Sequence, residues 1–184
     1  GENMTPDTFA AALPFRGVEF GNWVNQTERA ALLNSAFDGF HDLAAVWGMK
    51  PEEMTLRGSL AFAFASRGIP GAMAHYESGH EVINLTKKSG AGCMAHEWFH
   101  AADWFAGNGH AQTEHPTDSD AGRAASALVA AIKKTDFYRR SQELVTYSPK
   151  GSYWVENCEL AARGFEGVML VLLDAAGICS DFLV

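Results

Sequence analysis

The strongest chemical signal in the sequence is the run His96-Glu97-Trp98-Phe99-His100. Residues four apart share one face of a helix, so His96 and His100 can bind one metal ion. Glu97 can accept a proton from a water molecule on that ion, because the metal lowers the pKa of the water. With seven histidines in the chain, an accidental HExxH run is expected in roughly 2% of sequences of this composition. The run therefore predicts a zinc site with Glu97 as general base.

A catalytic zinc ion takes three protein ligands, so HExxH leaves one ligand to be found. The HExxHxxGxxH pattern is excluded, because Asp103 and Ala106 stand where it requires glycine and histidine. The remaining common ligand is a carboxylate from a later helix, and the last predicted helix offers Glu156, Glu159 and Glu166. Small and apolar residues after Glu159 would let that helix approach the metal helix closely. Glu159 is the preferred third ligand, and Glu166 is the runner-up or a partner of a ligand histidine.

Two residues near the motif have alternative interpretations. Asp103 shares the face of the two histidines and either fixes a ligand histidine through its second ring N–H or is a surface carboxylate. Cys93 lies one turn before His96 and could face the site, although a sulfur ligand would be unusual here. The other histidines have no ligand spacing to the motif and are expected at the surface or in hydrogen bonds.

Strand patterns cluster in the first half of the chain, and helical patterns dominate the second half. The predicted strands are 15–23, 60–65, 72–77 and 81–87, and the last two form a hairpin. The predicted helices are 25–47, 51–54, 93–105, 121–134 and 156–176. A glycine-containing turn at 89–92 leads into the helix that carries HExxH, and 110–120 is predicted as a polar surface loop. This order predicts an α+β fold, in which a small, mainly antiparallel sheet packs on helices and a ligand-bearing C-terminal helix follows the metal helix.

Length and composition predict one domain over residues 1–184. The chain is 47% hydrophobic and 20% charged, as in ordinary globular proteins. The net charge of −8 argues against a nucleic-acid-binding face, and no apolar run is long enough to cross a bilayer. Three cysteines are too few, and odd in number, for a disulfide framework. This favours reduced thiols and a cytoplasmic location. The apolar ending at 182–184 suggests excision from a longer multidomain protein.

Residues 15–29, 74–104 and 153–166 resemble the large polyvalent protein-associated domain of the first type. The ending at 180–184 is also similar, so the resemblance covers most of the chain. That family occurs inside very large multidomain proteins of phages and conjugative elements and is regarded as a zincin-like metallopeptidase. The resemblance implies a zincin-like fold, a zinc ion, a protein or peptide substrate and a place in the host cytoplasm.

The segments HEWFHAADW and ELAARGFE also resemble the gluzincin arrangement of the anthrax lethal factor peptidase domain. In that arrangement a second helix, headed by a glutamate, follows the HExxH helix. Carried over by residue, the resemblance implies His96, His100 and Glu159 as zinc ligands and Glu97 as the base. A tyrosine shortly before the ligand glutamate often stabilises the oxyanion in such enzymes, which implies that role for Tyr153.

The sequence departs from the family at Phe99, where a glycine is usual, and this bulky side chain is expected to narrow or reshape the cleft. The strand at 81–86 is the expected edge strand, whose main chain would pair with an extended substrate.

Peptide-bond hydrolysis is the expected activity. Two alternatives stay open: a zincin-like binding module with little catalysis, and a nucleic-acid-handling module of a mobile element.

Overall fold

The computed structural model describes residues 4–22, 25–64, 66, 74–85 and 93–184. Its strands are β1 (Gly17–Phe20), β2 (Ala61–Phe64), β3 (Ala74–Glu77) and β4 (Val82–Leu85). Its α-helices are α1 (Pro6–Ala12), α2 (Gln26–Trp47), α3 (Met94–Ala106), α4 (Asp120–Ile132), α5 (Asp136–Tyr147) and α6 (Asn157–Ala176). Two 3-10 helices span Pro51–Thr55 and Gly151–Val155. The predicted α+β class is confirmed. The predicted turn at 89–92 and the predicted strand positions 23, 65, 72–73 and 86–87 lie outside the described residues.

Helix α2 begins and ends where the sequence predicts. The side chain of Asn25 accepts a hydrogen bond from the main chain of Glu28, and the Glu28 side chain accepts one from the Asn25 N–H. This capping box satisfies two main-chain donors that the first turn leaves without partners. Gly48 ends the helix in the left-handed conformation, with φ of 73°, which glycine adopts without a steric penalty.

The sheet is mixed and mainly parallel, so the prediction of a mainly antiparallel sheet is wrong. The strand order is β1-β2-β4-β3; β1 with β2 and β2 with β4 pair in parallel, and β3 with β4 pairs antiparallel. Helix α2 lies between β1 and β2 in the chain and carries it back to the same end of the sheet. A crossover of this kind gives parallel neighbours, whereas short loops give antiparallel ones.

The predicted hairpin is confirmed, but the predicted edge strand is wrong. The partners in β3 and β4 run from Ala74 opposite Leu85 to Glu77 opposite Val82. Strand β4 also pairs with β2, so it is central, and β3 and β1 are the two edges among the described strands. The alternation of residues marks a strand, but its position in the sheet depends on which strands pair with it.

One face of the sheet packs into the main hydrophobic core. Phe62, Phe64 and Ile83 are fully buried there, together with Phe40 from α2. The ring of Phe62 meets those of Phe40 and Phe64 at centroid distances of 5.3 and 4.9 Å, both edge to face. Each fully buried side chain of this size stabilises the fold by about 1.5–3 kcal/mol.

Helices α3 and α6 pack closely through aromatic and small side chains. The Phe165 ring lies 5.8 Å from Trp98 and 5.3 Å from Phe99. Ala161 and Ala162 are fully buried, so these two positions keep the α6 backbone close to its neighbours. The Trp98 indole N–H donates a hydrogen bond of 2.8 Å to the main-chain oxygen of Met54. Helix α3 is therefore held both by α6 and by the main chain at Met54.

Two helices were not predicted. Helix α1 has only seven residues, although Thr5 caps it and Pro6 opens it. Helix α5 is mostly polar and exposed, so it lacks a broad apolar stripe. Within the described part of the chain, no helix combines the length and the apolar character that a membrane crossing requires.

We expect Phe165→Ala to lower the free energy of unfolding by about 3–5 kcal/mol, because it opens a cavity between α3 and α6. Val171→Ala is the matched control on the same helix, since Val171 is 67% exposed, and it should change stability by less than about 0.5 kcal/mol. Urea unfolding followed by circular dichroism measures both. Equal effects of the two variants would contradict this account of the interface.

Candidate metal centre

Helix α3 presents both histidines of the motif to one point. His96 and His100 are one turn apart, and their Nε2 atoms are 3.1 Å from each other. Two neutral imidazoles turned in this way offer their lone pairs to a common position, since Nε2 of histidine is a usual metal-binding atom. The helical spacing of the motif is thus realised in the orientation of the rings.

Helix α6 brings a carboxylate to the same point. Glu159 Oε2 lies 3.4 Å from His96 Nε2, and Glu159 Oε1 lies 3.4 Å from His100 Nε2. A tetrahedral zinc site with bonds of about 2.0–2.1 Å has ligand-to-ligand edges of about 3.3–3.4 Å. The separations of the three side chains are therefore close to those of a metal's ligands. His96, His100 and Glu159 form a group that could hold a metal ion.

One atom of the group lacks a hydrogen-bond partner. Glu159 Oε2 is buried and accepts no hydrogen bond. His96 Nε2 is near it, but at 3.4 Å the contact is an ion-pair approach without hydrogen-bond geometry. A buried carboxylate oxygen without a partner is costly in a folded protein. Coordination of a cation would satisfy this oxygen, so the residues present fit a metal ion.

The charges of the group favour a cation. Burial alone would raise the pKa of Glu159, but His100 and His96 outweigh it and hold the pKa well below its usual range. Burial alone would lower the pKa of His96, but the carboxylates of Glu159 and Glu166 outweigh it and raise the pKa to about 9. The carboxylate is thus ionised, and a metal ion would take the place of the proton on His96.

Glu97 belongs to α3, and its side chain lies near the edge strand β3. Its side chain is buried, with the residue 8% exposed, and the Tyr76 main chain of β3 lies close to its carboxylate. Burial raises the pKa of Glu97, although His96 and His100 act in the opposite direction. A carboxylate with a raised pKa is a better proton acceptor near neutral pH.

Tyr153 lies beside Glu159 in the cleft, on the 3-10 helix Gly151–Val155. Burial, followed by the neighbouring carboxylate of Glu159, raises the pKa of the Tyr153 hydroxyl well above its usual range. The hydroxyl therefore stays protonated at neutral pH, with the Glu159 carboxylate as its neighbour. No residue spacing predicts this proximity, and only the resemblance implied a role for Tyr153 at the site.

Two carboxylates considered near the motif have different surroundings. Glu166 Oε2 lies 3.6 Å from His96 Nδ1, on the side of the ring away from the metal-facing Nε2. This is the place of a partner that orients a ligand histidine. Asp103 instead accepts hydrogen bonds from the Thr113 hydroxyl at 2.6 Å and from the Thr113 main chain at 3.2 Å. In the described structure it therefore anchors the loop after α3.

Glu114 was not predicted as part of the site. Its Oε1 accepts a hydrogen bond of 2.8 Å from the main-chain N–H of Cys158, in the first turn of α6. Because Cys158 directly precedes Glu159, this contact fixes the backbone that carries the third donor. Thr113, the neighbour of Glu114, is held in turn by Asp103 on α3. The segment predicted as a surface loop thus links the two helices, and no motif spacing signals this connection.

Phe99 lies outside the lining of the cleft, and Cys93 lies outside the group of metal donors. Phe99 packs against Phe165 between the helices and is absent from the side chains that line the cleft. The expectation that it narrows the cleft is wrong, because position 99 faces α6. Cys93 does line the cleft, but burial, then Glu166 and Glu97, raise the pKa of its thiol, which disfavours the thiolate that binds metals.

The metal group lies in a cleft of about 620 Å³. Helix α3 contributes its floor, β3 lines one side, and α6 with the 3-10 helix Gly151–Val155 lines the other. This volume is in the range of small-ligand and substrate sites, about 300–1,000 Å³. An edge strand, a metal group and a buried carboxylate therefore share one open space.

Comparison of the chain with protein-family models, curated proteins and solved structures finds no match. The resemblances noted from the sequence therefore stay predictions, as do the roles of His96, His100, Glu97, Glu159 and Tyr153.

We expect substitution of any one ligand by alanine, at His96, His100 or Glu159, to weaken zinc binding by more than about 100-fold. Glu166→Gln should weaken it by about 10- to 100-fold, the effect typical of a partner that only orients a ligand. His115→Ala is the control, because His115 is exposed and lies outside the cleft lining. Competition with a chromogenic chelator measures all five affinities, and unchanged binding in the ligand variants would contradict the site.

We expect Glu114→Ala to lower the free energy of unfolding by about 1 kcal/mol, as for the loss of a helix cap. It should also weaken zinc binding, because the first turn of α6 carries Glu159. Glu114→Gln keeps an oxygen acceptor for the Cys158 N–H and should stay close to the parent protein in both properties. Thermal unfolding and chelator competition make the comparison. A Gln variant as impaired as the Ala variant would show that the charge, not the cap, matters.

Proposed function

We propose that this protein is a zinc-dependent endopeptidase with a zincin-like, gluzincin-type fold. The proposal depends most on one observation: His96, His100 and Glu159 converge in a cleft where Glu97 also lies. The edge strand β3 borders the same cleft, which gives an extended peptide a place beside the metal group.

The donor set supports zinc as the metal. Two imidazole nitrogens and one carboxylate oxygen are a ligand set of catalytic zinc sites, and all three donors line the open cleft. When bound, a zinc ion lowers the pKa of a water molecule and polarises a carbonyl oxygen.

Glu97 is the general base and then the general acid. Its carboxylate takes a proton from the attacking water, whose oxygen forms a bond to the carbonyl carbon of the peptide. The C–N bond breaks, and Glu97 returns the proton to the leaving nitrogen, so that it ends the cycle ionised. Burial raises the pKa of Glu97, which suits a group that must hold a proton between the two transfers.

The other cleft residues have positioning and charge-stabilising roles in this proposal. The protonated Tyr153 hydroxyl is a donor for the oxyanion that develops on the substrate carbonyl. The main chain of β3 pairs with the substrate by strand addition, which holds the peptide extended across the cleft. Glu166 orients the His96 ring through Nδ1, and the Tyr76 main chain lies close to Glu97.

The family assignment belongs to the same proposal. Helix α3, which carries HExxH, follows the four strands along the chain, and β3 is an edge of their sheet. A glutamate near the start of α6 completes the metal group. This order supports a gluzincin arrangement. The sequence resemblance supports an origin in the multidomain proteins of phages and conjugative elements.

We expect Glu97→Gln to lower kcat for peptide cleavage by about 10²- to 10⁴-fold, the contribution of a general acid–base group. Zinc affinity should change little, because Glu97 is outside the group of donors. A set of denatured proteins, incubated with and without a chelator and analysed by mass spectrometry, measures cleavage.

Glu52→Gln makes the same change at an exposed residue outside the cleft and serves as the control. Full cleavage by Glu97→Gln would contradict the assignment of the base. Zinc binding without any cleavage by the parent protein would instead support a metal-containing binding module.

A further inference from the structure

Two cations line one side of a cleft that is otherwise acidic. Lys150 and Arg163 are both part of the lining, on the side formed by the 3-10 helix and α6. The remaining charged lining includes Glu97, Glu159 and Glu166, and the whole chain has a net charge of −8. Two positive side chains in this position are therefore unusual for this surface.

Both cations lie against aromatic rings. The Lys150 Nζ is 4.5 Å from the centroid of the Tyr153 ring. The Arg163 guanidinium carbon is 4.9 Å from the centroid of Trp154 and 5.7 Å from that of Tyr153. Ring faces attract a cation but carry no net charge, so they hold it in place without neutralising it. The four residues Lys150, Tyr153, Trp154 and Arg163 are called the cation–aromatic wall below.

Among the described residues, neither cation of the wall forms an ion pair, although the Glu159 and Glu166 carboxylates attract Arg163 from a longer distance. Arg163 donates from Nε to the main-chain oxygen of Glu159 at 3.0 Å and from Nη2 to that of Trp154 at 2.9 Å. These carbonyls fix the guanidinium but bring no full negative charge. A guanidinium has five N–H donors, so further donors remain for a ligand. Arg123 and Arg139, by contrast, form ion pairs with carboxylates.

The wall stands beside the metal group. Arg163 is one helical turn after Glu159 on α6 and bonds to its main chain. Tyr153 is the neighbour of the Glu159 carboxylate. Strand β3 lines the opposite side of the cleft, so a peptide that lies along β3 turns its other edge towards the wall.

From this juxtaposition of two cations without an ion pair to a described carboxylate, two aromatic rings and a metal group, we propose that the cation–aromatic wall binds a carboxylate of the substrate. The protein then selects acidic peptides. The inference rests on the proposed function in taking a peptide as the ligand. A nucleic acid suits the cleft less well, because its many phosphates would meet Glu97, Glu159 and Glu166, whereas one carboxylate need only approach the wall.

Binding of short peptides to the zinc-loaded Glu97→Gln protein tests the wall without cleavage. The probes are two sets of hexapeptides with blocked ends. One set carries a single Glu at each position in turn, and the other carries Gln at the same positions. A third set carries Gln and a free C-terminal carboxylate, which separates a side-chain carboxylate from the chain terminus. Isothermal titration calorimetry measures the affinities. We expect the best acidic peptide to bind about three- to tenfold tighter than its Gln partner, and less so as salt is added.

A charge reversal at the wall identifies the residues. Lys150→Glu should abolish or invert the preference for the acidic peptide, and Lys150 is exposed, so the change leaves the core intact. Lys134→Glu is the matched control, because Lys134 is equally exposed but lies outside the cleft lining.

Equal binding of Glu and Gln peptides, or binding of no peptide, would overturn the proposed role of the wall. An equal effect of Lys134→Glu, or tighter binding of a single-stranded oligonucleotide, would overturn it as well. Tighter binding of the free-terminus set would support the wall and assign it to the substrate's C-terminus. The proposed function fails separately: cleavage by the parent protein without acidic preference rejects only the wall, and acidic preference without cleavage rejects only the peptidase.

Discussion

The packing of α3 against α6 is the constraint on which the rest of the structure depends. It places one carboxylate, that of Glu159, beside two imidazoles in a largely buried position. Burying an ionised carboxylate costs several kcal/mol unless partners compensate for the lost hydration. Here the attraction to His96 and His100 exceeds that cost, because the pKa of Glu159 is lowered although burial acts to raise it. The apolar contacts of Phe165 with the aromatic residues of α3 hold the two helices together while the polar group remains incompletely satisfied.

The polar contacts around the metal group extend in three directions from this helix pair. Glu166 approaches His96 from the far side of its ring, and the Tyr76 main chain approaches Glu97 from the sheet. Glu114 holds the first turn of α6 from the loop after α3. Each of these contacts comes from a different element, so the position of the donors reports the integrity of the whole domain. A metal ion would be the only partner common to all three donors, and its binding would therefore couple to folding.

The cleft has two chemically different sides. The β3 side offers a strand edge, whose main-chain groups recognise an extended chain without regard to its side chains. The α6 side offers Lys150, Arg163 and two aromatic rings, which discriminate by charge and shape. The carboxylates of the metal group lie between them and favour a cation at the floor. In the proposals for the site, the sheet provides general peptide binding and the helical side provides selectivity.

The sequence by itself determined the helix of the HExxH run, the bounds of α2 and the α+β class, because these depend on local spacing and on residues within one turn of each other. It also favoured Glu159 over Glu166, which agrees with the distances to the two Nε2 atoms. Only the tertiary structure decided the strand order, in which β3 and not β4 is an edge strand. Strand order depends on crossovers such as the one through α2 and on which faces become buried. The same holds for Phe99, which faces α6, and for Glu114 and the cation–aromatic wall. Their contacts join residues that no periodicity relates, so the chain must fold before they exist.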